Sequence, residues 1–587
     1  MPTPNVSLFG PFAIAASLAF LPMGAAAEDT STAAAVATPA EGPMNAGAYL
    51  AARAAGSAGD YLAASEWFGR TLIADPSNPA LLESAVLSNV ELGDFAKAAD
   101  LARILMQTGS KSQVGEIAIL AGQTMAADYE GILRDKKAGA SVGALPDGLI
   151  AAWAELGNGK MSEALAGFDA LSKVDGMKAF ALYHKALALA SAGDFEGADD
   201  ILSGRVAGPL QVMRRGVIAH AEILSQLERD KDALDLLDRS FSTGSDPTID
   251  ALRTKLAAGE TLPFDIAKGA KDGIAEVFFS IATAMSGEAE PGFTLVHARV
   301  AAYLRPDNSD AVLMVAELLE QQGQHDLATA TYAQIAPTDP AFYVAEIGRA
   351  EALYATDKKE AALEVLQGLA RSNPGIMGVQ LALGDMSRRT EKFAEAVKAY
   401  DAALAFVKTP EARHWSLFYS RAICKEQSGD WPGAEVDFRQ ALALQQDQPQ
   451  VLNYLGYSFL DRNENLDEAL GMIKRAVAAE PESGYIIDSL AWALYRLGRH
   501  DEAVVPMEKA SLLEPVDAVV TDHLGDVYWA VGRKLEAEFQ WRRAASFQPA
   551  EKDAARIKRK LEVGLDTVLA EEGAKPLPAV DAAAVEN

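Results

Sequence analysis

The chain has a single cysteine, Cys424, among 587 residues. One thiol excludes an intramolecular disulfide and any paired-cysteine zinc or redox motif. Basic residues are also in deficit: 53 Lys and Arg stand against 82 Asp and Glu, a net charge of −29. Nucleic-acid binding needs clustered Lys and Arg to neutralise phosphate, so that class is excluded, whereas acidity suits neutral or basic partners. Beyond the first residues, no stretch holds the ~20 unbroken apolar residues of a membrane span. β-Branched runs with period-two alternation are scarce, which argues against sheets. GxSxG, HExxH and GxxxxGK[ST] are all missing, and the histidines are scattered.

What is present points to helices. Hydrophobic residues make up 49% of the chain, too many for a mainly disordered protein, and alanine is abundant. The length exceeds one ordinary compact core, so several domains or a repeat array are expected. The start carries an address. SLFGPFAIAASLAFLPMGAAA ends at Ala25-Ala26-Ala27 before Glu28, which reads as a signal peptide over 1–27 cleaved after Ala27. MPTPNVS ahead of it has no Lys or Arg, so an uncleaved anchor is the alternative. No cysteine lies near Ala27 to carry a lipid. The expected location is therefore exported, periplasmic in a Gram-negative host, and peripheral to the envelope at most. An Ala/Thr/Pro-rich linker over 28–44 is expected to be disordered.

Internal repetition dominates the remainder. IIDSLAWALYRLGRHDEAVVPMEKASLLEP aligns with VVTDHLGDVYWAVGRKLEAEFQWRRAASFQP at a spacing of 34 residues. Asp488 matches Asp522, Gly498 matches Gly532, Ala503 matches Ala537, and Pro515 matches Pro549. Extended backwards, the grid gives eight repeats over 275–551, with an insertion before His414 and one extra residue in DRNENLDEA. A more degenerate block over 45–247 carries GDYLAA, GDFAKA, GKMSEA and GDFEGA. Residues 113–144 read as an irregular hairpin and 248–274 as an irregular joint. Residues 552–570 read as a capping helix, and 571–587 as a disordered tail.

Each repeated letter has a mechanical reason. The Gly tolerates the left-handed conformation that ends a first helix. The Asp after it (Asp60, Asp94, Asp194, Asp430) accepts backbone N–H groups and starts the second helix. Alanines five and twelve residues beyond the Gly let helices approach closely. The Pro stops the second helix.

This pattern resembles the tetratricopeptide repeat in period and small-residue positions. The resemblance implies an all-α, right-handed superhelical solenoid of stacked antiparallel helix pairs, in which neighbours bury each other's apolar faces. Positions 2, 5, 9 and 12 of each first helix share one face. In that family this face lines a concave peptide-binding surface. The residues so placed include Tyr419, Asn453, Tyr457, Asp488, Trp492, Tyr495, Asp522, Asp526 and Trp529. Glu426, Glu317, Glu320, Glu351, Tyr354, Asp385 and Arg388 extend the set. Aromatics and acids in a ladder suit extended, basic polypeptide. Of the Lys, Arg and Asn that clamp a C-terminal carboxylate in some family grooves, Asn453 alone is retained. The alternative for any single aromatic is packing against a neighbouring helix.

No catalytic residue, cofactor or metal is expected. In DHLGD, 522–526, Asp522 and Asp526 share a helix face, whereas His523 points about 100° away from Asp522. DRNENLDEA opens like a calcium loop, but Leu466 replaces the required Gly and Met472 the required Glu. Cys424 falls at an inward position and reads as packing. Arg499 and His500 fall in the turn.

DSLAWALYRLGRHDEA and DHLGDVYWAVGRKLEAEFQWRRA resemble, more specifically, a family of large bacterial envelope tetratricopeptide proteins. One member is an outer-membrane lipoprotein adaptor of a carboxy-terminal processing protease. That resemblance implies a periplasmic scaffold gathering a protease and its substrates, notably cell-wall hydrolases. Three functions follow as expectations. The first is an exported, non-catalytic scaffold binding proteins or extended peptides. The second is an assembly or export factor for outer-membrane proteins or polysaccharide. The third is a cell-wall-active enzyme with a site between repeats.

Overall fold

The computed structural model describes residues 46–574, apart from 207, 211 and 243–245, together with residue 577. The expected signal peptide, the linker and most of the tail lie outside these residues. Among the described residues are 31 α-helices, one short 3-10 turn at Ala412–His414, and no strand. The chain is an all-helical solenoid of antiparallel pairs.

The repeat letters act as their chemistry requires. Asp60, Asp94, Asp194 and Asp430 each accept a backbone N–H three residues on, at 2.9–3.1 Å, and so open the second helix of a pair. Gly93 and Gly429, each with φ of 86°, occupy the left-handed turn before these caps. Degenerate repeats place other residues in the same conformation, among them Glu228 (φ 57°) and Glu391 (φ 60°). Ala98, Ala434, Ala503 and Ala537 are fully buried where paired helices touch.

A first block of six pairs runs from Ala46–Ser57 with Tyr61–Leu72 to Arg214–Gln226 with Asp230–Ser240. The pair at 113–144 is present, with its second helix cut to nine residues, Tyr129–Lys137. The expected irregular joint at 248–274 contains a single helix, Pro247–Ala257; only 258–269 is free of helix before Ala270–Met285 begins. Asp246 caps that helix and Pro247 supplies its first residue, a start signal of the usual kind.

Eight pairs follow, from Ala270–Met285 with Pro291–Leu304 to Ala518–Ala530 with Lys534–Ser546. The first of them does not simply extend a row. Ala270–Met285 packs on Ala144–Gly157 and Lys178–Ser191, and Pro291–Leu304 packs on Pro79–Leu92 and Gln113–Met125. These four are first helices of the first block, so the hairpin fills that block's hollow. Its fit is close: a Cβ on Gly273 would stand 2.1–2.4 Å from the Trp153 ring, and Trp153 is fully buried. One hydrophobic core runs from Val86 through Trp153 and Phe278 to Ala311. The first two helix pairs touch this hairpin and the end of the helix after it. Arg299 donates to the Glu91 carbonyl at 2.8 Å, and the Tyr61 hydroxyl donates to Gln322.

At the other end, one capping helix was expected over 552–570. The structure has two, Glu551–Val563 and Leu565–Glu571, broken at Gly564 with φ of 81°. The break folds the second back on the first, where Arg556 pairs with Glu572 and Arg559 with Glu571.

Candidate functional site

The second block turns its first helices toward a hollow, and the residues along that face fall into three stretches. The middle stretch is open. Glu351, Tyr354, Asp385, Arg388, Tyr419, Glu426, Asn453 and Tyr457 are all partly exposed there. Tyr419 and Tyr454 meet edge to face at 6.0 Å, and burial pushes the Tyr419 phenol up to about 12. The Tyr400 hydroxyl donates to Asp385 at 2.7 Å, Arg389 pairs with Glu351, and its guanidinium lies 4.5 Å from the Tyr354 ring centre. The Asn453 Oδ1 atom is buried with no partner among the described residues.

The C-terminal stretch is closed by the chain itself. Lys560, on the helix after the last repeat, is fully buried and donates to Asp522 at 2.7 Å and Asp526 at 2.6 Å. Asp526 also accepts from the Trp541 indole at 2.9 Å and from Arg556 at 3.1 Å. Burial and the neighbouring Asp526 carboxylate push Asp522 up to about 6, against the pull of Lys560. Trp529 donates its indole N–H to Asp566 at 3.0 Å and packs so tightly on Gly564 that a Cβ there would stand 2.8 Å from the ring.

Just before this lies an aromatic stack. His523 sits 3.9 Å from Trp492, at 11° between planes, and Trp492 sits 4.8 Å from Tyr495 at 12°. The His523 Nδ1 atom meets the Asp488 carboxylate at 3.0 Å. Burial alone would lower the imidazole's pKa; the Asp488 charge and hydrogen bond outweigh it, and the net direction is upward.

The expected ladder therefore divides. Tyr419, Asn453 and Tyr457 stand on the open face. Asp488, Tyr495, Asp522 and Asp526 are buried, and Trp492 and Trp529 are half-buried, the first in a stack and the second tilted against Trp541. The three acids do not offer a free acidic surface, because His523, Lys560 and Arg556 from the next helices take up their charge. His523 does point away from Asp522, as helical geometry requires, and finds Asp488 one repeat earlier.

Of the residues expected along the groove, Glu317 and Glu320 stand in the N-terminal stretch. In the structure it ends in a cavity of about 390 Å³ where the hollow meets the first block. Its floor is a half-buried ionic network, with Glu276 its most buried member. Arg215 bonds Glu276 at 2.9 Å and Asp310 at 3.1 Å, Arg214 bonds Asp310 at 2.8 Å, and the Tyr183 hydroxyl donates to Glu276 at 2.9 Å. Burial pushes the Glu276 carboxyl up, offset by Arg215 and Tyr183. The adjacent basic pair Arg214-Arg215 was the available sequence signal; its acidic partners lie 32 to 96 residues away, beyond any local pattern.

Other candidate chemistry is structural. Cys424 is fully buried and its thiol is pushed up to about 12 by burial, far from a reactive thiolate. His184 accepts from the Trp153 indole at 3.2 Å, and burial lowers it to about 3. Arg499 pairs with Glu502, and His500 leans on Tyr495. Among the described residues no group of His, Cys, Asp and Glu is placed to hold a metal, and no helix is long and apolar enough to cross a membrane.

Comparison with known proteins agrees with the repeat assignment. A family model described as tetratricopeptide repeat matches residues 49–111, 347–412, 419–484 and 460–512. A TPR repeat-containing protein of Pseudomonas aeruginosa is 30% identical over 183 residues, which is 31% of this chain and 30% of that protein. The matching region thus spans under a third of the relative. Among solved structures, the Cut9–Hcn1 hetero-tetramer of APC/C aligns over 88% of this chain and 96% of its own, at 14% identity and a TM-score of 0.36. A tetratricopeptide repeat protein from Parabacteroides merdae aligns over 44% of this chain and 98% of its own, at 17% identity and a TM-score of 0.36. Tetratricopeptide repeats are thus matched in both blocks, in a chain whose helix pairs stack throughout.

Proposed function

We propose that the protein is an exported, non-catalytic scaffold that gathers partner polypeptides in the open hollow of its second block. One observation carries this reading: the hollow of the first block is filled by the chain's own hairpin, while residues 351–457 of the second leave aromatic and charged side chains partly exposed along a continuous concave face. Aromatic faces give contact area at low entropic cost, and the net charge of −29 over the whole chain favours basic segments. The N-terminal apolar stretch ending at Ala27 supports export, and the sequence resemblance over 449–551 supports service to a periplasmic carboxy-terminal processing protease.

A photo-crosslinking residue at Tyr419, activated in intact envelopes, tests both levels. Adducts with a processing protease or with cell-wall hydrolases are the expected outcome. Adducts confined to outer-membrane assembly or polysaccharide-export proteins would replace the adaptor reading with the assembly one. Intact-mass measurement of the purified protein checks export, with a new terminus at Glu28 expected.

A further inference from the structure

The cavity at the N-terminal end of the open hollow has features that the rest of the concave face lacks. Phe279 and Thr283 occupy the fifth and ninth positions of the repeat at 275–308, and Leu313 and Glu317 the same positions of the next repeat. They belong to the groove-facing series, yet here the series runs into the first block. Phe180 and Met213 from that block face them and close the end. The result is a pocket with apolar walls, a charged floor and an acidic lip.

Floor and lip differ in one decisive respect. On the floor, every ion has a counter-ion: Arg215 with Glu276 and Asp310, Arg214 with Asp310 and Asp246. Ser280 and Thr283 turn their hydroxyls back to carbonyls of their own helix, at 2.7 and 2.9 Å. The floor therefore asks nothing of a ligand. Glu317 at the lip is exposed and carries no salt bridge among the described residues. Desolvation by the surrounding protein and the neighbouring Glu320 carboxylate push its pKa up. Glu320 is pushed up by burial as well, although it accepts from the Tyr332 hydroxyl at 2.6 Å. A cation arriving at the lip would relieve both.

We infer that this closed end is an anchor pocket for a bulky apolar side chain of a partner polypeptide, with a neighbouring Lys or Arg of the same segment held by Glu317. The volume suits the assignment. At about 390 Å³ it lies at the small end of ligand pockets, the size for one large side chain rather than an extended cofactor. Phe279, Leu313 and Met314 supply aliphatic and aromatic surface for that side chain, and methionine adapts to its shape. The assignment deepens the scaffold reading by fixing where a bound segment ends and which chemistry it must carry there.

The test uses the full chain and three fluorescein-labelled Gly/Ser peptides, with a central Trp-Lys-Lys, Ala-Lys-Lys or Trp-Gln-Gln, measured by anisotropy. The Trp-Lys-Lys peptide is expected to bind roughly 10-fold tighter than either other, from burial of one aromatic and one charge contact. Thr283→Trp fills the pocket and should abolish the preference for Trp over Ala. Met213→Trp, at the exposed rim, fills it from the opposite wall if the first variant folds poorly by circular dichroism. Glu317→Gln should abolish the preference for Lys over Gln while keeping the preference for Trp. If a pocket-filled variant keeps the wild-type preference for Trp, the anchor pocket is refuted and a groove elsewhere does the binding. If no peptide binds the wild type, the pocket is also refuted; the crosslink at Tyr419 then decides the scaffold reading separately.

Discussion

The two blocks use the same repeat and make opposite use of the hollow it creates. In the first, Trp153 and its neighbours close over the hairpin at 270–304, and a single core joins both sides. In the second, Tyr419, Asn453 and Tyr457 face a hollow that the described residues leave open, until Lys560 closes its far end. Repeat geometry thus supplies a concave surface, and whether it serves folding or recognition depends on what the chain sends back into it. A filled hollow acts as core, with stability as its product. An open one costs exposed aromatic area and retains the capacity to bind.

The largest effect should come from the C-terminal closure. Lys560→Met leaves Asp522 and Asp526 buried without their ammonium partner, a loss of about 3–5 kcal/mol. Calorimetry should show a lower melting temperature, and limited proteolysis should cut after Gln548. If both stay unchanged, the two aspartates do not depend on Lys560. Next comes the filled hollow. Gly273→Val drives a side chain into the Trp153 ring and should cost about 3 kcal/mol. The expected signature is protease sensitivity in 258–269 with helicity of the second block retained, since the joint is the route by which the hairpin would leave.

A smaller effect is pH-dependent. The His523 pKa is raised in the fold, so its contribution to stability is complete below the unfolded imidazole value of about 6.5 and is lost as pH rises through the higher folded value. The melting-temperature difference between wild type and His523→Gln should therefore be larger at pH 6 than at pH 9. Equal differences would show that Asp488 does not hold the proton there. The smallest effect compares the blocks directly. Glu228 and Glu391 both sit at left-handed turns that disfavour a side chain. Glu228→Gly and Glu391→Gly should each stabilise by ~0.5–1 kcal/mol. Because one core crosses the joint, both should move one shared melting transition; two transitions responding separately would show that the blocks unfold independently.

These contrasts mark what was legible in the sequence. The capping aspartates, the left-handed glycines and the buried alanines could be read because each acts within one hairpin. The filled hollow could not be read from period or spacing, since 275–308 obeys the same grid as its neighbours. A signal was nonetheless present: IAEVFFSIATAM is apolar on nearly all sides of a helix, the mark of an element buried all round. The C-terminal closure left none, because RIKRKLEV looks like a solvated helix and Lys560 gains its meaning from Asp522 and Asp526, more than thirty residues earlier. Those aspartates share a groove-facing register with Tyr457, and register alone does not say whether a partner or the chain's own next helix will face them. The cavity combines both problems, joining Arg215 to Glu276 and Asp310 on two later helices, and Arg214 to Asp310 and Asp246.

The central claim is that partner polypeptide enters the open hollow of the second block. The most direct measurement places a photo-crosslinking residue either at Tyr457, on the concave face, or at Leu535, which is 74% exposed on an outer helix. Strong partner adducts are expected from Tyr457 and little from Leu535. Adducts from Leu535 equal to or exceeding those from Tyr457 would contradict it and move recognition to the convex side.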